Sequence, residues 1–258
     1  MSKILPLVIL IVGLIVAVFL VGQKTGFFSR ADVLTTPQEI KISNLSDNSF
    51  TVSYITAKPT IGFINFGETE KMGDTVNDDR DINGPKARLT HHITLKNLNP
   101  ETQYFYQINT EKISQQTTAP TTTDTPPLAD PIFGQIVKAD KTIPSEAIIY
   151  SQIVDGTLLS SYSRDDGNFL ITLNNARTND LLNYLKIKDS DQIDLTVKDG
   201  EGATKKQVPA SERTSTVNII LEPVVVKETI SSWSQDYNND GVVNVFDYAI
   251  FLKKQVSN

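Results

Sequence analysis

The chain has 258 residues, 21% of them charged and 39% hydrophobic, with a net charge of −6; these are ordinary globular proportions, with room for roughly two domains of about 100–150 residues each. It contains no cysteine, which excludes disulfides, thiol catalysis and Cys-ligated zinc. Its only histidines are the adjacent pair His91-His92, and Lys and Arg are scattered, so acid–base and transition-metal chemistry have little to work with and no nucleic-acid partner is expected.

Ile4 to Gly22 is a nearly unbroken apolar run. As a helix rising about 1.5 Å per residue it would be roughly 28 Å long, close to the hydrocarbon thickness of a bilayer. Pro6 falls in the first turn, where its missing N–H costs little. Residues 1–31 therefore read as an N-terminal transmembrane anchor or a signal. The run exceeds the about 7–15 apolar residues of a signal peptide, which favours an uncleaved anchor, although Ser29-Arg30-Ala31 offers a cleavage site. Lys3 and the amino terminus oppose Lys24 and Arg30 across the span, so charge counting leaves orientation open. The domains that follow look extracytoplasmic. The expected location is a single-pass cell membrane protein, or a secreted one if the N-terminus is removed.

Residues 33–118 carry short alternating strands: Glu39–Ser43, Ser49–Ile55, Ile61–Gly67, Leu89–Leu95 and Tyr104–Ile108. Period-2 segments separated by turn residues predict an antiparallel sandwich. In such a strand His91 and His92 point to opposite faces and cannot chelate one ion together. Asp74, Asp78, Asp79 and Asp81 read as a solvated connection, with Asn83-Gly84 as a turn beside it. The segment Leu98-Asn99-Pro100-Glu101-Thr102-Gln103-Tyr104 resembles the Leu-x-Pro-x-Thr-x-Tyr turn of fibronectin type III domains, which implies a tyrosine corner at Tyr104. With Ser53-Tyr54-Ile55-Thr56 and Phe66-Gly67, the region also looks like the non-catalytic N-terminal sandwich of purple acid phosphatases. Tyr54 departs from the core Trp usual in fibronectin domains. No phosphatase activity follows from this resemblance, because that chemistry needs a separate domain rich in His and Asp ligands.

Residues 119–131 belong to a Thr/Pro-rich linker. Counted from Thr117, it reads as a semi-rigid spacer of roughly 3 Å per residue, on the order of 45 Å at full stretch. Residues 132–223 predict a second all-β domain. Pro131–Val137 opens a strand, Pro144–Tyr150 leads into the next, and Asp166-Gly167 turns into Asn168–Ile171. Ile193–Val197 and Val217–Leu221 supply late strands, and Asn179–Lys188 is a short helix or a loop. The order of these segments is similar to carboxypeptidase regulatory-like, transthyretin-type sandwiches, which are accessory domains without catalytic residues.

Residues 224–258 contain the one segment whose spacing specifies a site. From Asp236 to Asp247, oxygen-bearing side chains fall at positions 1 (Asp236), 3 (Asn238), 5 (Asp240), 9 (Asn244) and 12 (Asp247) of a twelve-residue loop. Gly241 holds position 6 and Val242 offers its carbonyl at position 7. This is the pattern of an EF-hand-like Ca2+ loop, in which a hard cation gathers six to eight oxygens. Without the ion three carboxylates would repel, so binding and ordering should be coupled. Asn244 also suits a helix N-cap with Asp247 at N3, and Val245, Tyr248, Ala249, Leu252 and Val256 recur at helical spacing. The stretch resembles one dockerin type I repeat, Asp-x-Asn-x-Asp-Gly-x-x-Asn-x-x-Asp followed by a helix. A complete dockerin carries two such units, so the resemblance is to half of one.

The expected protein is mainly β: two tandem Ig/fibronectin-like β-sandwiches with an N-terminal transmembrane helix and a C-terminal calcium loop–helix. The chain lacks a nucleophile–base pair, a His-rich metal centre and a Gly-rich phosphate loop, so no enzyme is expected. The function read from it is non-catalytic adhesion or scaffolding at the cell surface. The partners would be the membrane, through the N-terminal helix, and a cohesin-like protein or a surface polysaccharide. The alternatives are a dockerin-type assembly adaptor and an accessory protein of an extracellular carbohydrate- or phosphoester-active enzyme.

Overall fold

A computed structural model describes residues 34–223 apart from Pro126 and Ser145. The predicted anchor (residues 1–31) and calcium module (residues 224–258) lie outside the described residues. No helix among the described residues is long and apolar enough to cross a membrane.

The described chain is mainly β, with almost no helix. Strands β1 (Gln38–Ser43), β2 (Phe50–Thr60) and β5 (Arg88–Leu95) form one antiparallel sheet in the order β1-β2-β5. Strands β3 (Phe63–Gly67), β4 (Asp74–Asn77), β6 (Gln103–Ile108) and β7 (Ser114–Thr117) form a second in the order β4-β3-β6-β7. The alternation of β2 explains the packing. Phe50, Val52 and Tyr54 enter a core with Ile64, Ile93, Leu95, Tyr104, Tyr106 and Ile108, all essentially inaccessible to water. Between them Thr51 and Ser53 face the other way, paired across the sheet with Thr94 and His92.

A second core is built by β8 (Pro131–Lys138), β9 (Ile148–Ile153), β10 (Leu159–Tyr162), β11 (Asn168–Thr172), β12 (Gln192–Lys198), β13 (Ala203–Pro209) and β14 (Val217–Leu221). Its sheets run β10-β9-β12-β13 and β11-β8-β14, with β14 parallel to β8 and the other pairs antiparallel. Ile132, Ile136, Ile149, Phe169, Ile171, Leu173, Ile193, Leu195 and Ile219 fill the space between them. Gly134 is fixed by crowding: a Cβ there would sit 1.8 Å from the Val217 carbonyl oxygen, so only glycine lets β8 and β14 run side by side.

Of the helix and the loop left open for Asn179–Lys188, the structure has the loop, with Leu181 in the left-handed region (φ 64°); its Leu185 and Ile187 pack against the core. The polar strands β4 and β7 escape an apolar-alternation reading because they are sheet edges and carry too few buried residues. The largest correction concerns the Thr/Pro segment. Thr118 and Ala119 are buried, and the Ala119 N–H bonds the Ser46 carbonyl at 2.9 Å. The two sandwiches are joined directly, within one compact unit that ends at Pro223, and are not held apart at the length of an extended spacer. The reason is that the outward face of β1-β2-β5 carries side chains with hydrogen-bond partners on β9 and β10.

Candidate functional site

Asp236, Asn238, Asp240, Val242, Asn244 and Asp247 all lie outside the described residues. Among the described residues no group of three or more His, Asp or Glu side chains is placed to hold a metal ion. What the structure does assemble is a buried polar junction between the two sandwiches.

The junction begins at the end of β1. Asn44 sits in the left-handed region (φ 51°), where asparagine is tolerated better than most residues. Its backbone N–H donates to the Leu158 carbonyl at 2.9 Å. Its side-chain amide donates to the Ser160 carbonyl at 3.1 Å and accepts the Ser160 N–H at 2.9 Å. One asparagine thus continues the hydrogen bonding of β10 into the first sandwich. Beside it, Ser43 and Ser160 hydroxyls are 2.6 Å apart, and Ser53 meets the Tyr150 hydroxyl at 2.9 Å. Burial pushes the Tyr150 phenol up to about 12, so it stays protonated and able to donate. Lys41 lies over the Tyr150 ring, 4.3 Å from its centre; burial, followed by repulsion from Lys198, lowers its ammonium group. Lys198 itself pairs with Glu39 across the junction.

The second half of the junction is ionic, and it is built by the acidic loop. Asp78 and Asp81 have side chains 0% and 2% exposed, so the solvated connection expected from the sequence is overturned for these two, while Asp74 on the edge strand β4 is exposed. The physical reason is that each buried acid meets a partner on or near β5. Asp78 takes Arg80 in a two-pronged pair at 2.7 and 2.8 Å, and also accepts the His92 N–H at 2.9 Å. Burial alone would raise the Asp78 carboxyl, but the Arg80 guanidinium and these N–H donors hold it below the usual range. Arg80 also donates to the Thr90 carbonyl and, across the junction, to the Glu146 carbonyl at 3.1 Å. Arg88 pairs with Asp81 and, from the other sandwich, with Glu146 at 3.0 Å. Burial would lower the Arg88 guanidinium; hydrogen bonding by Asp81 and the charges of Asp78 and Glu146 raise it instead. Asp79 accepts from Thr94 and contacts His92 Nδ1 at 2.8 Å, while His92 Nε2 reaches the Ser160 hydroxyl at 2.9 Å. An open groove of about 610 Å³ follows the rim of this cluster, lined by Lys86, Tyr162 and Arg164 among others.

His91 has the opposite surroundings. It stacks on Tyr54 with ring centres 4.4 Å apart, and Nε2 meets the Thr60 hydroxyl at 3.0 Å. Burial brings its imidazole down to about 4 and pushes the Tyr54 phenol up. Tyr54 is fully buried in the core, and the imidazole covers its face. Gly62 is required beside the pair, since a Cβ there would lie 2.2 Å from His91 Nδ1.

Sequence reasoning placed the two histidines on opposite faces and placed the tyrosine corner: the Asn99 N–H donates to the Tyr104 hydroxyl at 2.9 Å. It missed Asn44, Asp78, Arg80, Arg88, Glu146, Tyr150 and Ser160 as one assembly. A signal was present in the outward positions of β2 and β5, where Thr51, Ser53, Thr90 and Thr94 stand in place of the long charged side chains of a solvated face.

Residues 37–123 match the family model described as the purple acid phosphatase N-terminal domain. Among solved structures, the FN1-FN3 domains of chicken CNTN1 match at 10% identity and a TM-score of 0.25, covering 72% of this chain and 66% of that one. The central fibronectin-III array of RIM-binding protein matches at 13% identity and a TM-score of 0.26, covering 70% and 66%. No curated protein matches. The family match, the three-on-four strand arrangement and the tyrosine corner make the first sandwich a fibronectin type III-like domain.

Proposed function

We propose that the chain is a non-catalytic cell-surface scaffold. Its fibronectin-like domain and a carboxypeptidase regulatory-like sandwich act as one rigid element between an N-terminal membrane anchor and a C-terminal calcium-binding, dockerin-like module. The observation that carries the reading is the buried junction. Asn44, Ser43, Ser53, His92 and Arg80 each bond the second sandwich, so the pair behaves as a strut and not as beads on a flexible tether. Independent domains joined by a linker usually move relative to one another unless their interface is extensive. Here the face between them is held by directional bonds whose loss leaves buried groups unpaired.

In this reading the strut presents residues 236–247 outside the membrane, where calcium is abundant, and the ion acts as a folding lock for the terminal helix. That helix would then engage a cohesin-like protein or a surface polysaccharide. Isothermal titration of the full chain with Ca2+ tests the module. One equivalent should bind to the native chain, and binding should vanish in the double variant Asp236→Ala, Asp240→Ala. Equal affinity in both would refute the assignment.

A further inference from the structure

One buried cation in the second sandwich has no anionic partner among the described residues. Arg177 is only 2% exposed and follows the short 3-10 turn at Leu173–Asn175. Its backbone is clamped from both sides. Its N–H donates to the Thr157 hydroxyl at 3.0 Å, and its carbonyl accepts the Thr157 N–H at 2.8 Å. The guanidinium lies under the half-buried Tyr184 ring, 4.3 Å from its centre, and Nη1 has no hydrogen-bond partner.

The neighbouring acids do not serve it. Asp180 Oδ1 accepts from the Thr178 hydroxyl and from the Leu182 N–H, and the ion pairs of the described residues involve other arginines. Every other described arginine with a buried or half-buried guanidinium in such a pair, namely Arg80, Arg88 and Arg213, has its carboxylate. Arg177 stands apart. A buried charge without a counter-charge is costly, and a guanidinium stacked on an aromatic ring presents a planar donor fork suited to two oxygens of one anion. Methionine would fill the same space at no electrostatic cost.

We propose that Arg177 is the anchor of an oxyanion site at this end of the second sandwich. The ligand group is a carboxylate, sulfate or phosphate, either as a free ion or carried on an acidic sugar. Tyr184 and the loop from Thr178 to Tyr184 form its cover. The loop backbone is tied down, with Thr178 N–H on the Asn183 carbonyl at 2.9 Å, Asn179 N–H on the Asp155 carbonyl at 3.0 Å and Leu185 N–H on the Ala176 carbonyl at 2.8 Å. The movable part of the cover is therefore the half-buried Tyr184 ring, and turning that ring aside exposes the fork. The proposal is independent of the calcium module.

The test is thermal unfolding of the full chain and of Arg177→Met in acetate, glucuronate, sulfate and phosphate, each at constant ionic strength against chloride. At least one oxyanion should raise the melting temperature of the native chain saturably, by about 3–6 °C at a tenfold excess over its dissociation constant. Arg177→Met should lose that response. Acetate and glucuronate together identify a carboxylate, glucuronate alone an acidic sugar, and sulfate or phosphate alone a tetrahedral ion. Identical responses in the two proteins would overturn the proposal. Should Arg177→Met fail to fold, the Arg177 Nε–Hε resonance of the native chain decides the matter, because an unmoved resonance across all four titrations overturns it equally.

Discussion

The two faces of β5 bury themselves by opposite means. On one face Ile93 and Leu95 join the apolar core of the first sandwich, and His91, fully buried and stacked on Tyr54, is held uncharged because burial outweighs the pull of Asp78 3.8 Å away. On the other face Arg88, Thr90, His92 and Thr94 are paired one by one with Asp81, Glu146, Ser160 and Asp79. Apolar burial is forgiving: a core tolerates changes of shape for modest losses. A polar face is satisfied pair by pair, and removing one partner strands the other. The two faces should therefore fail differently.

The greatest loss is expected from Asp78→Ala. It leaves Arg80, whose side chain is 8% exposed, as a buried unpaired cation, and it frees the His92 N–H. Urea unfolding should show a destabilisation of about 3–5 kcal/mol. A loss under about 1 kcal/mol would mean that the ion pair is effectively solvated and the polar face much less demanding than described.

The apolar face predicts a pH effect of comparable but smaller size. The folded imidazole of His91 titrates near 4, against about 6.5 when unfolded. Below the unfolded value the unfolded chain takes up the proton first, so stability is full above pH 6.5 and falls as the pH drops towards 4. The difference corresponds to about 3 kcal/mol as an order of magnitude. The depressed Asp78 carboxyl adds loss in the same direction at lower pH. His91→Gln should flatten the slope between pH 6.5 and 4 in urea unfolding, and an unchanged slope would show that another group carries it. The smallest effect belongs to Tyr150→Phe, which removes one hydroxyl contact to Ser53 and should cost about 1 kcal/mol.

The contrast also explains what the sequence made legible. Period-2 alternation reports the face turned to an apolar core, so β2, β5 and β6 could be read directly from residues such as Phe50, Val52, Tyr104 and Tyr106. The tyrosine corner was legible through the resemblance of Leu98–Tyr104 to the fibronectin type III turn, a local motif whose two partners lie five residues apart. The junction was not legible in the same way. Asp78 and Asp81 look like a solvent-facing run until Arg80, Arg88 and Glu146 are brought beside them, and Glu146 is 58 residues from Arg88. Charge in a sequence shows no partner; only the pairing of strands does. The same limit governed the Thr/Pro segment, whose composition describes an isolated linker and ignores the surfaces that it joins. Arg177 was silent for the same reason, since a lone arginine between Ala176 and Thr178 carries no periodic signal.

The claim that the two sandwiches form one rigid strut is tested most directly by a distance distribution across the junction. The absence of native cysteine allows spin labels at Lys112→Cys in the first sandwich and Lys205→Cys in the second, both exposed positions. A single narrow distance peak, unchanged in width between low and physiological salt, is the predicted result. A broad distribution reaching towards the span of an extended Thr/Pro linker would contradict it.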